Sequence, residues 1–457
     1  MKEVGSLNLE GMEILVLGLG MSGRSAARFC AERGARVVAA DEREADTLSE
    51  TGELEDLGPN VEVLCGQPFP DPSGFALTVP SPGVPPARYA DSAQRAWGDI
   101  ELAGRALAVP IVAVTGTNGK STTVRLIEAM LNAAGLRAEA AGNVGTPALS
   151  LPGKPLDIAV LEVSSFQLET IESFRPRVAV VLNITPDHLD RHGDLAGYAR
   201  AKRRILENQH TDDVAVLDFD DERVRGFLDH APGQVIPFSR FAPPSLPGHP
   251  RAAWIDGGVA IFSDGQTIQR VPLDSGNGIS SHDRDNVLAA LTAVWALGVD
   301  PNTASQALAD FQALPHRCEV VSSRGELTWV NDSKATNPGA AQRAIEGSKA
   351  PILWIAGGRG KALAFEDLAQ TARGRVKVAL LIGEAAHEIE EALGGHVRFE
   401  HCSDLDAAVA MAASLGEPGD VVLLAPACAS FDQFKSFEHR GDSFRNAVQR
   451  LAGEDPS

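Results

Sequence analysis

Short apolar runs alternating with amphipathic stretches organise this chain. Runs at 13–17, 35–40, 111–114, 158–161, 178–182, 328–330, 352–355, 379–382 and 421–424 are continuous rather than alternating. That is how strands buried on both faces of a parallel sheet read. Between them, apolar residues recur at helical spacing, as in Val124, Ile127, Met130 and Leu131. Strand and helix in alternation predict an α/β fold. At 457 residues the chain should hold about three domains. Punctuation divides it into 1–98, 99–313 and 314–457. The stiff turn Ser81-Pro82-Gly83-Val84-Pro85-Pro86 and a linker near Trp97-Gly98 close the first block, and Leu314-Pro315-His316-Arg317 opens the third. The Pro- and Gly-rich piece 241–251 reads as a surface excursion of the middle block.

Two glycine-rich turns sit where a strand runs into a helix. In the first block, Gly18-Leu19-Gly20-Met21-Ser22-Gly23 leads into a helix through Cys30, and Asp41 follows at the end of the next strand. This is the G-x-G-x-x-G fingerprint of a Rossmann-like unit. Its physics is a pyrophosphate on a helix N-terminus with a carboxylate near a ribose, so any nucleoside diphosphate satisfies it. In the second block, Val114-Thr115-Gly116-Thr117-Asn118-Gly119-Lys120-Ser121-Thr122 aims backbone N–H groups at one point. Lys120 adds a cation, and Ser121 or Thr122 adds an oxygen for Mg²⁺. Val114 stands where the general P-loop pattern has its first glycine. A triphosphate cradle on a central mononucleotide-binding parallel sheet is expected, and the third block reads as a further Rossmann-like α/β unit.

Composition narrows the partners. With 61 acidic and 41 basic residues the formal charge is −20, which disfavours nucleic acid and anionic membrane as partners. The five cysteines are an odd number with no C-x-x-C pair, so neither a disulfide framework nor a zinc site built on them is expected. No apolar run approaches the roughly 20 residues of a membrane span. The start Met1-Lys2-Glu3-Val4-Gly5 lacks a signal peptide's apolar core. A cytoplasmic protein acting on small molecules, and a monomer, is the expectation.

Polar groups gather after the strands, where ligands of doubly wound sheets bind. Glu162, followed by Val163-Ser164-Ser165, is a candidate Mg²⁺ ligand. His188 is a less usual one, with Asp187 and Asp190 as alternatives. In the helical stretch 195–209, Lys202 shares a face with Leu195, Tyr198, Ile205 and Leu206, while Arg200, Arg203, Arg204 and Glu207 point mostly outward. Lys202 is therefore either a lysine lying along the rim or an inward amine. Arg317, Lys334 and Lys361 would put cations at the ligand end of the third sheet. The segment Ser430-Phe431-Asp432-Gln433-Phe434-Lys435-Ser436-Phe437 reads as the opening of the last helix, suited to a carboxylate.

Gly116-Thr117-Asn118-Gly119-Lys120-Ser121-Thr122, Glu162-Val163-Ser164-Ser165 and Thr185-Pro186-Asp187-His188-Leu189-Asp190 resemble the motifs of the Mur ligase family. Within it, Phe166-Gln167-Leu168, Asn331-Asp332-Ser333-Lys334-Ala335-Thr336-Asn337 and Pro426-Ala427-Cys428-Ala429-Ser430 resemble the member that joins D-glutamate to UDP-N-acetylmuramoyl-L-alanine. The resemblance implies an ATP-dependent, ADP-forming amide ligase of peptidoglycan precursor synthesis, working through an acyl phosphate. It implies catalytic roles for Lys120, Glu162, His188 and Lys202. Two Mg²⁺ ions would be held by Ser121, Glu162, His188 and a CO₂-derived carbamate on Lys202. ATP would meet 116–122, Asn286, Arg317, Asp332 and Lys334. The UDP-sugar substrate would meet Met21, Ser22, Asp41, Arg43, Gly83, Asn143 and His188. D-glutamate would meet Lys334, Thr336, Lys361, Ser430 and Phe437. Two departures are visible: Asp283 follows His282 where asparagine is expected, and Arg359 replaces an expected acidic residue. A ligase of the same fold for another amino acid such as a diamino acid, a folate polyglutamate ligase, an NAD-dependent oxidoreductase and a non-catalytic nucleotide switch or scaffold are the competing readings.

Overall fold

The computed structural model describes residues 7–49, 57–143, 145–241, 248–273, 283–312, 314–323, 326–361, 363–451 and 453. The N-terminal residues 1–5, most of the 241–251 excursion, His282 and position 313 at the expected boundary lie outside them. Among the described residues the strands form three sheets, each in an α/β setting, as the alternating pattern predicts.

In the first sheet, β1 (Glu13–Leu17), β2 (Arg36–Asp41), β3 (Val61–Cys65) and β4 (Leu77–Pro80) run parallel in the order β3-β2-β1-β4. Gly23 lets the helix Met21–Ala31 approach β1 closely. A Cβ there would stand 1.8 Å from the Gly18 carbonyl oxygen, so no other residue fits.

The second sheet holds β5 (Ile111–Thr115), β6 (Ala138–Gly142), β7 (Ile158–Glu162), β8 (Val178–Val181), β9 (Val214–Asp218), β10 (Gln234–Ser239), β11 (Ala252–Asp256), β12 (Val259–Ser263) and β13 (Ile268–Pro272). Their order is β13-β12-β11-β10-β9-β8-β5-β7-β6, parallel except for the antiparallel β11-β12-β13 meander. The chain leaves β5 toward β6 and β7 on one side and continues to β8 on the other. The glycine-rich loop at the end of β5 therefore lies at the topological switch point. Val112, Ala113 and Val114 are fully buried, each apolar side chain stabilising the sheet by about 1–3 kcal/mol.

The third sheet is β14-β15-β19-β16-β17-β18, built from β14 (Glu319–Ser322), β15 (Thr328–Asn331), β16 (Ile352–Gly357), β17 (Val376–Ile382), β18 (Arg398–His401) and β19 (Val421–Leu424). β14 is the antiparallel edge. Apolar layers cover both faces, one around Trp354 and Ile389, the other around Leu380 and Phe444.

The described residues pack as two compact units. One is drawn from Met1–Ile184, Ala196–Gly276 and Asp285–Asp310, the other from Thr185–Leu195, Asn277–Arg284 and Phe311–Ser457. The first two sheets thus share a unit, because the helix Met21–Ala31 packs on the helix Asp99–Ala106 and the turn Ala148–Ser150. Inside that unit the buried Glu101 carboxylate accepts from the backbone N–H groups of Glu172, Ser173 and Phe174.

Candidate active site

At the switch point, Gly119 carries φ +89 and a Cβ there would meet Asn286 Oδ1 at 2.2 Å. The left-handed backbone favours glycine, and any larger residue would also push the Asn286 side chain away from the loop. The loop is pinned from β8: Thr117 N donates to Asn183 O at 2.8 Å, and Asn118 exchanges two hydrogen bonds with the Asn183 side chain at 2.9 and 3.0 Å. Lys120 Nζ curls back onto the carbonyls of Gly116 (2.7 Å) and Thr117 (2.8 Å). Ser121 and Thr122 open the helix Lys120–Ala133 with buried hydroxyls. Thr115 Oγ1, at the root of the loop, is buried and has no hydrogen-bond partner.

Lys202 is inward: it is 1% exposed, its Nζ donates to Gly116 O at 2.7 Å, and the Tyr198 ring lies 4.6 Å away. The rim reading is excluded. Both lysine Nζ atoms meet one carbonyl oxygen, so their separation cannot exceed twice 2.7 Å. Two ammonium charges that close repel by about 3 kcal/mol at an effective dielectric of 20. An anion in this place relieves that repulsion. Glu162, buried at the end of β7, accepts from Asn143 Nδ2 at 3.0 Å. The helix around Lys202 is shorter than its periodicity suggests: Leu195–Arg203 is α-helical and Arg204–Leu206 is a 3₁₀ turn. Arg204 is not an outward residue. Its guanidinium donates to the carbonyls of Leu168, Glu169 and Ile171 at 2.7–2.8 Å, and this turns the chain.

In the first sheet, a cavity of about 480 Å³ is lined by Met21, Ser22, Asp41, Arg43, Gly83 and Phe69 among others. Asp41 spends its oxygens inside the protein, accepting from Leu19 N (2.7 Å), Arg43 N (3.0 Å) and the Arg43 guanidinium (2.8 and 2.9 Å). Burial opposes its ionisation, but these bonds outweigh it and bring the carboxyl down to about 2. Asn143 does not line this cavity; it stands beside Glu162.

The second unit carries the remaining candidates. His188 has φ +53, a left-handed conformation rare outside glycine, and its N–H donates to Asp187 Oδ1 at 3.0 Å. Asp187 also receives Lys361 Nζ at 2.9 Å and Asn337 Nδ2 at 3.1 Å. Burial opposes its charge, yet Lys361 and His188 hold its carboxyl below the usual range. Lys334 Nζ lies 3.6 Å from the centre of the Phe437 ring. Arg317 and Asp283 both act on the buried Asp332, with opposite sign.

Residues 114–294 match the family model of the Mur ligase middle domain, and residues 316–428 that of the Mur ligase glutamate ligase domain. The chain belongs to the Mur ligase family. It is 43% identical over 463 residues to the UDP-N-acetylmuramoylalanine–D-glutamate ligase of Anaeromyxobacter dehalogenans, with 98% of each chain covered. It is 41% identical over 451 residues to the protein of the same name from Pelotomaculum thermopropionicum, covering 96% of this chain and 98% of that one. The structure of MurF ligase from Thermotoga maritima in complex with ADP covers 99% of this chain and 100% of its own, with 19% identity and a TM-score of 0.61. That likeness is one of fold, the three-domain α/β architecture of Mur ligases.

In this Mur ligase the segment after Pro426 departs from the reading of Ser430 as a helix start. The last helix spans Phe437–Leu451, and Ser430 lies before it in a turn, its carbonyl accepting from Phe434 N at 2.8 Å. Ser430 is nonetheless buried. Arg440, which sequence reasoning passed over, joins the two motif loops from within. Its guanidinium donates to Ser333 O (2.9 Å), Ser333 Oγ (3.0 Å) and Cys428 O (3.1 Å). Its helical spacing from Phe437 and Phe444 is the signal that places it on the inner face. Arg359, the unexpected cation, pairs with Glu384 at 3.1 Å on the surface.

Asp332 is pushed up to about 6 by burial, with Arg317 pulling the other way and Asp283 adding to the rise. A carboxyl raised on folding contributes stability that is present below its ordinary value of 3.8 and lost as pH climbs through about 6. Asp332→Asn removes that loss. The variant should gain unfolding free energy over the parent as pH rises from 4 to 7, by on the order of 1–3 kcal/mol, and level off above. Parallel melting curves across that range would refute the buried-carboxylate account.

Proposed function

We propose that this Mur ligase is the ATP-dependent enzyme that joins D-glutamate to UDP-N-acetylmuramoylalanine, forming ADP and phosphate. The observation that carries the reading is the convergence of Lys120 and a buried Lys202 on one carbonyl of a loop at the switch point. The acceptor's terminal carboxylate attacks the γ-phosphorus, ADP leaves, and an acyl phosphate results. The amine of D-glutamate attacks that carbonyl, and phosphate departs. Both steps need alignment and charge neutralisation rather than protein nucleophiles.

The donors around the loop suit Mg²⁺, a hard ion that takes oxygen ligands: the Ser121 hydroxyl and the buried Glu162 carboxylate are present, and Thr115 Oγ1 lacks a partner nearby. Ser121, Glu162 and a carbamate on Lys202 would hold it, and His188 keeps the role its motif carries for a second ion. Bound there, the ions would offset phosphate charge. Carbamate formation takes two protons from the Lys202 ammonium, one to free the amine and one as Nζ bonds the carbon of CO₂, and so turns a cation into an anion beside Lys120. The loop amides and Lys120 take the phosphates, with Asn286 beside Gly119 and Arg317, Asp332 and Lys334 as further ATP residues.

The first-sheet cavity suits the uridine diphosphate part of the UDP-sugar, while Asn143, which stands outside that cavity beside Glu162, is proposed to meet a more distal part of the same substrate. An NAD reading suffers because Asp41's oxygens are already engaged by Leu19 and Arg43. Lys334, Thr336, Lys361, Ser430 and Phe437 form the proposed D-glutamate site, Lys361 exchanging Asp187 for a substrate carboxylate. Domain limits at 98/99 and 313/314 and a monomeric cytoplasmic enzyme complete the proposal.

The test is phosphate release from ATP and Mg²⁺ with UDP-N-acetylmuramoyl-L-alanine and a panel of amino acids. Release should require both substrates and D-glutamate in particular. Release that ignores the amino acid, or follows L-glutamate or a diamino acid instead, would overturn the assignment.

A further inference from the structure

Away from the residues assigned above, the second unit carries a cluster of metal-binding chemistry. His387 and Glu390 stand one turn apart on the helix Ala386–Leu393, and His401 ends β18 at the edge of the third sheet. His387 Nδ1 lies 3.2 Å from Glu390 Oε2, and His401 Nε2 lies 2.8 Å from the same oxygen. One ligand atom from each of the three lies within 4.8 Å of the others. Zinc–ligand bonds of about 2.0–2.1 Å place neighbouring ligands of a tetrahedron about 3.3 Å apart. Two of the three separations already fall within about half an ångström of that value. The third separation joins the two imidazoles, whose ring centres already lie 4.9 Å apart, and the His387 side chain is 85% exposed, which leaves room for a small turn toward a shared ion.

The site is assembled rather than accidental in its parts. Helical spacing presents His387 and Glu390 on one side of the helix. Phe399, two residues before His401 on the same face of β18, packs edge-on against the His401 ring at 5.7 Å and orients it. Cys402 points the other way: it packs with the layer of Leu405 and Val409, while Phe399 packs with the opposite layer around Ile389. The thiol is therefore outside the ligand set. Two imidazoles and one carboxylate suit a borderline ion such as Zn²⁺ far better than Mg²⁺ or Ca²⁺.

The geometry points to a Zn²⁺-class transition-metal site formed by His387, Glu390 and His401, with the fourth position open to water. The ion clips the helix to the sheet's edge strand. Binding requires both imidazoles neutral at the nitrogen that faces the ion. Because it binds the folded chain, it raises thermal stability with metal concentration.

The experiment is a Zn²⁺ titration of the chelator-stripped full chain against a chromogenic competitor, in buffer containing Mg²⁺. One equivalent should bind and raise Tm. His387→Ala, Glu390→Ala and His401→Ala should each weaken that equivalent by at least about tenfold while leaving ligase activity in Mg²⁺ unchanged. Co²⁺ in the same site should show no thiolate charge-transfer band. Failure of the parent protein to bind Zn²⁺, binding that survives all three substitutions, or a thiolate band abolished by Cys402→Ser would each overturn the proposal. Ligase activity is scored separately, so the outcome stands apart from the proposed reaction.

Discussion

Replacing Lys202 by alanine should lower turnover by at least about 10²–10³-fold, the usual cost of removing one group aimed at developing charge. The chain should still fold, because the Gly116 carbonyl keeps Lys120 as a donor at 2.7 Å. Lys202→Arg should fail as badly. Arginine preserves the positive charge and the hydrogen bond, but it cannot become a carbamate, and its rigid fork does not fit a fully buried slot. The decisive arm is chemical rescue. Formate or acetate added to Lys202→Ala should recover part of the rate, since a small carboxylate can occupy the vacated space and supply the missing anion. Melting curves and ATP affinity measured alongside separate lost chemistry from lost fold. Full activity of Lys202→Ala would remove the carbamate from the mechanism. A loss that carboxylates do not repair, with ATP binding intact, would leave Lys202 as a donor to the loop and nothing more.

Lys120→Met is the complementary case. Methionine keeps most of the side chain's volume and removes the charge, so the loop pinned by Asn183 should persist. Both ATP affinity and turnover should fall, turnover by about 10²–10³-fold, because the cation acts on phosphate charge in the bound and transition states. Carboxylates should not rescue it. The deficit here is a positive charge, and an added anion worsens it. Opposite rescue behaviour at two lysines that share one carbonyl is the signature expected if one acts as a cation and the other as an anion. Steady-state phosphate release at saturating ATP, with a parallel ATP titration, reads both effects. Identical responses of the two variants to acetate would refute the division of roles.

Many of the central strands were readable because burial on both faces leaves continuous apolar runs: 13–17 and 421–424 agree with the observed β1 and β19 to the residue, whereas the buried β4, β9 and β10 were passed over. The strands of the β11-β12-β13 meander and the edge strands β3 and β18 were not readable either. One side or an edge of each meets solvent, so polar residues such as Glu62 and Arg270 interrupt the pattern and the register is set by neighbours. Helix ends failed for a similar reason. The 195–209 stretch tightens at Arg204 because three carbonyls from 168–171 recruit its guanidinium, a partner some thirty residues away in sequence.

The sequence by itself determined the α/β class, the switch-point loop and the family, since these follow from local period and from short motifs whose chemistry depends on residue type. It left Lys202 open between rim and interior, because helical spacing fixes a face and not what covers it. Only the tertiary structure decided that question, by closing Tyr198 and the Gly116 turn around the amine. Asp41 was likewise decided in three dimensions: its carboxylate turns inward to Leu19 and Arg43. Arg440 and the His387–Glu390–His401 cluster also belong to the tertiary structure, for each joins segments that share no motif. Contacts between distant segments set burial and charge proximity, and those two quantities turn a residue type into a chemical role.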